Sequence, residues 1–177
     1  MQDKITIAGF GGQGVVLLGN TLAYGALFEG KHTTNMVSYG AEMRGGTANS
    51  TTIISDNEIL SPVVDKPSIA IIMNQPSLDK FEPKVEEKGV IFVNSTLIKS
   101  KVERSDLVVV EVPATEIANE LGNVRIANMV MLGAFIAKTK LLSLETAKKA
   151  LAKVLESKKD LIEINETAIE RGMKHVC

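Results

Sequence analysis

Apolar positions along the chain follow two rhythms. Short runs rich in β-branched residues, at 4–8, 31–37, 47–55, 68–73, 89–93 and 107–112, predict strands. A helix is predicted over 15–28, where Val16, Leu17, Leu18, Leu22, Ala23, Ala26 and Leu27 give a broad buried stripe and Gly30 marks the end. Asn74-Gln75-Pro76-Ser77 opens a second helix reaching about residue 87. The turn Asp56-Asn57-Glu58 leads into a short extended piece at 59–64 that contains Pro62. Helical spacing then dominates: 114–121, ended by Gly122, followed by 124–138, 144–155 and 161–174. Near-continuous apolar strands alternating with helices predict an α/β fold. Its sheet is mostly parallel with helices on both faces, its opening Rossmann-like and its last third helical. With no internal repeat, low-complexity stretch or linker, residues 1–177 read as one domain.

Charge and composition narrow the picture. The chain has 177 residues, 23% of them charged, and a formal net charge of -1. Nucleic-acid binders carry a basic excess because phosphate neutralisation supplies much of their affinity, and no such excess exists here. The same balance argues against a membrane-surface protein. The longest apolar run, 129–137, is far too short to span a bilayer, and the N-terminal MQDKITIAGFGG has no signal-type pattern, so a cytoplasmic location is expected. One cysteine, Cys177, cannot form an internal disulfide or supply the four thiolates of an iron–sulfur cluster. His32 and His175 are far apart in sequence, which disfavours zinc.

The chemistry concentrates in three places. Gly9-Phe10-Gly11-Gly12-Gln13-Gly14 satisfies G-x-G-x-x-G between a strand and a helix, where backbone N–H groups and the helix dipole favour an anion. A dinucleotide site also expects an acid at the end of the second strand. That strand ends in Asn35-Met36-Val37-Ser38, with Glu42 further on. No Lys-Ser/Thr follows the loop, so a P-loop is disfavoured. The second place is Ser38-Tyr39-Gly40-Ala41-Glu42-Met43-Arg44-Gly45-Gly46, which fits neither periodicity. Arg44 before two glycines can present a guanidinium fork to phosphate or carboxylate, Glu42 can orient it, and Tyr39 offers a flat face and a hydroxyl. The third is Asn128, a polar residue in an otherwise apolar helix, suited to a partner contact or a buried hydrogen bond. No catalytic constellation emerges.

Together these segments, with Asn123-Val-Arg-Ile-Ala-Asn-Met-Val-Met-Leu-Gly133, resemble the gamma subunit of pyruvate, 2-oxoisovalerate and 2-oxoglutarate:ferredoxin oxidoreductases. The resemblance covers nearly the whole chain and looks most like the 2-oxoglutarate branch. It implies an enzyme that decarboxylates a 2-oxoacid with thiamine diphosphate, captures the acyl group on coenzyme A and passes electrons through iron–sulfur clusters to ferredoxin. It implies partners as well: thiamine-binding alpha and beta subunits and a ferredoxin-like delta subunit, which hold the cofactors. On this reading Gly9, Gly11, Gly12, Gln13, Gly14, Ser38, Tyr39, Glu42, Arg44, Gly45, Gly46 and Asn128 form a polar surface at the C-terminal edge of the sheet. That surface faces coenzyme A or a thiamine-bearing partner. A free-standing nucleotide-binding protein and an assembly module without a ligand of its own remain the alternatives.

Overall fold

The structure, a computed structural model, describes residues 2–39 and 47–176. Among these residues six strands form: β1 (Gln2–Phe10), β2 (His32–Tyr39), β3 (Thr47–Ser55), β4 (Ile69–Ile72), β5 (Val90–Asn94) and β6 (Val108–Val112). They make one sheet in the order β2-β3-β1-β4-β5-β6. The β1–β4, β4–β5 and β5–β6 pairs are parallel. The helices are α1 (Val15–Phe28), α2 (Gln75–Phe81), α3 (Ala114–Glu120), α4 (Ala127–Thr139), α5 (Leu144–Val154) and α6 (Ile162–Val176).

Strand alternation sorts the core into two layers. Ile5, Ile7, Ile69, Ile71, Phe92 and Val112 point to one face and pack with α1, α4 and α6. Ala8, Ala70, Ile72, Ile91 and Val93 point to the other, where Leu78 and Phe81 of α2 cover them. Helices therefore lie on both faces, as the unbroken apolar strands predict. No helix among the described residues is long and apolar enough to cross a membrane.

The mostly parallel sheet has one feature the pattern does not reveal. β3 lies between β1 and β2 and runs antiparallel to both. Its middle is polar, yet Ser50 and Thr52 are fully buried. Both hydroxyls donate to Asn35 Oδ1, at 2.7 and 3.1 Å, while Asn35 Nδ2 donates to Asn20 Oδ1 of α1 at 2.8 Å. Ser50 Oγ occupies the space a side chain at Gly19 would need, so α1 can approach β3 only because residue 19 is glycine.

α4 is buried from Ala127 to Ala137, and α6 crosses it. At the crossing Gly133 meets the backbone carbonyl of Ile169, and Gly172 meets that of Val130, with no room for a β-carbon on either side. Three predicted elements differ from the sequence expectation. The helix expected to reach residue 87 stops at Phe81 and continues as a 3-10 turn, Glu82–Lys84, because Pro83 has no N–H to return to a carbonyl one turn back. The stretch 59–64 holds no strand, and Leu60 is 94% exposed. Pro62 within it could not donate to a ladder. The helix expected from residue 124 begins as a 3-10 turn, Val124–Ile126, capped by the Asn123 side chain.

Candidate functional site

In an open sheet the crevice for a ligand lies beyond the C-terminal strand ends, where connections leave in opposite directions. Here that point falls between β1 and β4. β1 leads through α1 to the β2 side, and β4 leads through α2 to the β5 side. The glycine loop 9–14 sits at this point. Gln13 folds back over the strand ends: its Oε1 accepts from Phe10 N at 2.7 Å and from Asn74 Nδ2 at 3.0 Å. A β-carbon on Gly9 would lie 2.7 Å from Gln13 Oε1 and 2.9 Å from Met73 Cβ, so the loop's first glycine makes room for this side chain.

The loop ends at Gly14, the N-cap of α1, whose φ of 73° suits glycine. Its carbonyl accepts from Leu18 N at 3.0 Å and from Asn128 Nδ2 at 3.0 Å. The Asn128 side chain lies against Gly14 where a β-carbon would stand. Asn128 is 1% exposed, and its Oδ1 has no hydrogen-bond partner among the described residues. The sequence-predicted Asn128 and glycine loop are thus in direct contact across more than a hundred residues of chain.

Beside them opens a cavity of about 220 Å³ lined by Gly12, Gln13, Met73, Leu97, Thr115 and Arg125, among others. Asn94, at the end of β5, hydrogen-bonds to two of the lining residues, Met73 and Thr115. It is fully buried, donates to Thr115 Oγ1 at 2.8 Å and accepts from Thr115 N at 3.3 Å. Larger hollows exist, including one of about 340 Å³ at the opposite sheet edge lined by Asp3, Glu86, Lys88 and Lys138. That hollow lies at the N-terminal ends of β1, β4 and β5, whereas open α/β sheets take ligands beyond the strands' C-termini, so the C-terminal edge is the better candidate.

Ser38 and Tyr39 reach the same edge. Tyr39 and Gly9 both pair with Ala48, so they flank β3 at one level, roughly 10 Å apart at ordinary strand spacing. Tyr39 is 70% exposed. Glu42, Arg44, Gly45 and Gly46 lie outside the described residues.

Sequence reasoning missed Asn74, Asn94, Thr115 and Arg125. A signal existed: two buried runs, Ile-Ala-Ile-Ile-Met and Val-Ile-Phe-Val, each end in asparagine. With Gln13 and Asn128, these asparagines form a belt of neutral amides at the strand ends. Among the described residues Arg125 is the cavity's only charged lining residue. The ionisable groups with displaced pKa lie elsewhere. Asp106 is held below the usual carboxylate range by its hydrogen bonds from Arg104, and Glu170 by its bond from Lys148. Among the described residues no cluster of His, Cys, Asp or Glu could hold a metal ion. The arrangement offers donors, acceptors, a helix N-terminus and one guanidinium. It can orient a polar or anionic group.

The family model described as pyruvate ferredoxin/flavodoxin oxidoreductase matches residues 4–175. The ketoisovalerate oxidoreductase subunit VorA of Methanothermobacter thermautotrophicus is 39% identical over 96% of this chain, which spans only 35% of that relative's length. The 2-oxoglutarate synthase subunit KorC of Methanocaldococcus jannaschii is 38% identical over 85% of this chain and 82% of its own. The solved gamma subunit of a keto/oxoacid ferredoxin oxidoreductase from Geobacter sulfurreducens superimposes with a TM-score of 0.85 at 30% identity, over 98% of each chain.

Proposed function

The chain belongs to the pyruvate ferredoxin/flavodoxin oxidoreductase family, and from that premise we propose that it is the gamma subunit of a 2-oxoacid:ferredoxin oxidoreductase. The whole chain is one gamma-type domain that works only in the assembled enzyme. Thiamine diphosphate on partner chains supplies the decarboxylation chemistry. Iron–sulfur clusters on other subunits carry the electrons to ferredoxin, since one cysteine cannot ligate a cluster. Coenzyme A takes the acyl group. The oxoacid is 2-oxoglutarate. In support, the KorC relative matches this chain over most of both lengths, whereas the VorA relative is nearly three times as long.

The observation that carries this reading is the character of the strand-end cleft. Neutral amides, a helix N-terminus and Arg125 can hold and orient a phosphate- or amide-bearing group such as coenzyme A. Among the described residues no pair in the cleft is arranged as nucleophile and base, which supports a chain that positions while its partners react. Arg125 supplies the positive charge of the cleft.

The test uses the enzyme assembled with its partner subunits, assayed by methyl-viologen reduction with 2-oxoglutarate, pyruvate or 2-oxoisovalerate plus coenzyme A. Activity on 2-oxoglutarate is expected. Arg125→Ala should raise the KM for coenzyme A about tenfold with kcat nearly kept, the signature of a lost charged contact that binds without taking part in the chemistry. A chain that never associates with thiamine-binding subunits would overturn the reading. An Arg125→Ala enzyme with unchanged KM would remove Arg125 from it.

A further inference from the structure

The two edges of the sheet are built differently. β6 is five residues long and carries Glu111. β2 is eight residues long, His-Thr-Thr-Asn-Met-Val-Ser-Tyr, with no Asp, Glu, Lys, Arg or Pro. It pairs only with β3, so along its outer side alternate residues turn N–H and C=O groups outward, unmatched by any strand among the described residues. A long, uncharged, unpaired edge templates pairing with another chain, and proteins ordinarily blunt such edges with charge, proline or bulges. None of those devices is present here, although 23% of the chain's residues are charged.

The surface on both sides of the edge agrees. Met36 is 49% exposed, Val37 39% and Tyr39 70%. Above the edge lies α1, fourteen residues without a charge. Its Asn20 bonds to Asn35 of β2, which puts the α1 flank carrying Asn20 and the exposed Tyr24 over this strand. Backbone hydrogen-bonding groups and apolar side chains form a strip to which neither β2 nor α1 contributes a charge, although α5 sets Lys149 over the Phe28 ring at the end of α1, and the strip's other end at Tyr39 is level with the glycine loop.

We infer that β2 receives an extended, uncharged strand from another subunit of the same enzyme, which extends the sheet to a seventh strand. This rests on the functional reading above. Charge matching selects the occupant: a strand bearing Lys or Glu would desolvate that charge against β2 with no counter-ion on β2 or α1 to meet it. The relatives favour a partner within the enzyme over a second copy. The same fold stands as a separate chain in KorC and as about a third of a longer chain in VorA, so it is compatible with lasting contact to a larger protein body.

The experiment compares the isolated chain with the enzyme co-purified with its thiamine-binding and ferredoxin-like subunits. Amide hydrogen exchange of β2 slows at least tenfold in the complex, while α6 stays unchanged. A photo-cross-linking residue at position 37 captures a peptide of a partner subunit, and one at position 163 on α6 does not. Val37→Lys, an exposed substitution, leaves the melting temperature of the isolated chain intact and reduces partner recovery at least tenfold. An intact, active complex in which β2 exchanges freely and position 37 captures nothing overturns the inference and leaves the functional reading standing. Capture of position 37 only by another copy of this chain overturns it in favour of a homodimer. If no complex forms, the functional reading fails and the inference falls with it.

Discussion

Residues 5–55, which build β1, α1, β2 and β3, contain four charged side chains: Glu29, Lys31, Glu42 and Arg44. Residues 141–176, which build α5 and α6, contain thirteen in a shorter stretch. The two regions fill space differently. α6 buries Asn165, Ala168, Ile169 and Gly172 and turns its charges to solvent, where Lys148 of α5 pairs with Glu170 at 2.6 Å and Glu166 at 3.6 Å. α1 is apolar on nearly every side, including the flank that the described residues leave exposed. A helix apolar all round belongs in an interior. The C-terminal helices thus turn a charged face to water, while the N-terminal edge leaves an uncharged, partly apolar flank exposed among the described residues.

The sharpest way to break the comparison is to loosen the C-terminal layer from within. Gly133→Ala or Gly172→Ala puts a methyl group into the backbone of the facing helix, which cannot yield as a side chain can. Each substitution should cost about 3 kcal/mol, lowering the Tm by roughly 6–12 °C in thermal melts. A shift under about 2 °C would mean the helices can part without loss.

The buried network on the N-terminal side comes next. Asn35→Ala strands the hydroxyl of Ser50 and the amide of Asn20 and leaves the Thr52 hydroxyl only its 3.5 Å bond to the Gly19 carbonyl, at a cost of about 2 kcal/mol. Exchange should rise in β2 and β3 and not in α4. Protection lost evenly across the chain would show that the two regions are not separable.

Acid sharpens the contrast with the smallest effect. The Lys148 hydrogen bond holds the folded pKa of Glu170 below its ordinary value, so its stabilisation is present above about pH 4.3 and fades as pH falls further. The Tm should therefore decline below pH 4.3 less steeply in Glu170→Gln than in the parent. Identical slopes would remove the α5–α6 ion pair from the account.

The opening of the fold was readable because three local signals coincide: a β-branched run, a glycine turn and an uninterrupted apolar helix. The observed α1 has the predicted bounds. The direction of β3 was not readable. Nothing in Thr-Ala-Asn-Ser-Thr-Thr says that Ser50 and Thr52 will meet Asn35 under Gly19, and that meeting sets which face turns inward. The premature end of α2 was visible in Pro83, but it was outweighed by the helical pattern around it. At the candidate site, the glycine loop and Asn128 stood out in the sequence because each breaks its own pattern. Asn74 and Asn94 did not, since an asparagine after a strand usually means a cap. Asn74 is indeed one, accepting from Ser77 N at 3.0 Å. Their shared place beside Gln13 and Thr115 arises only when the ends of β1, β4 and β5 are brought side by side.

The central place of β1 also bears on how the chain is made. Among the described residues β1 is the first strand synthesised, and both its neighbours, β3 and β4, come later. At roughly 5–20 residues per second, a ribosome takes about 3–13 s to supply them. Throughout that interval the stretch from Ile5 to Phe28 is outside its final sheet, without a single Asp, Glu, Lys or Arg to deter association. The nascent protein is therefore a natural client for chaperones that hold apolar segments, and slowing aggregation more than translation, as cooler growth does, should raise its soluble yield.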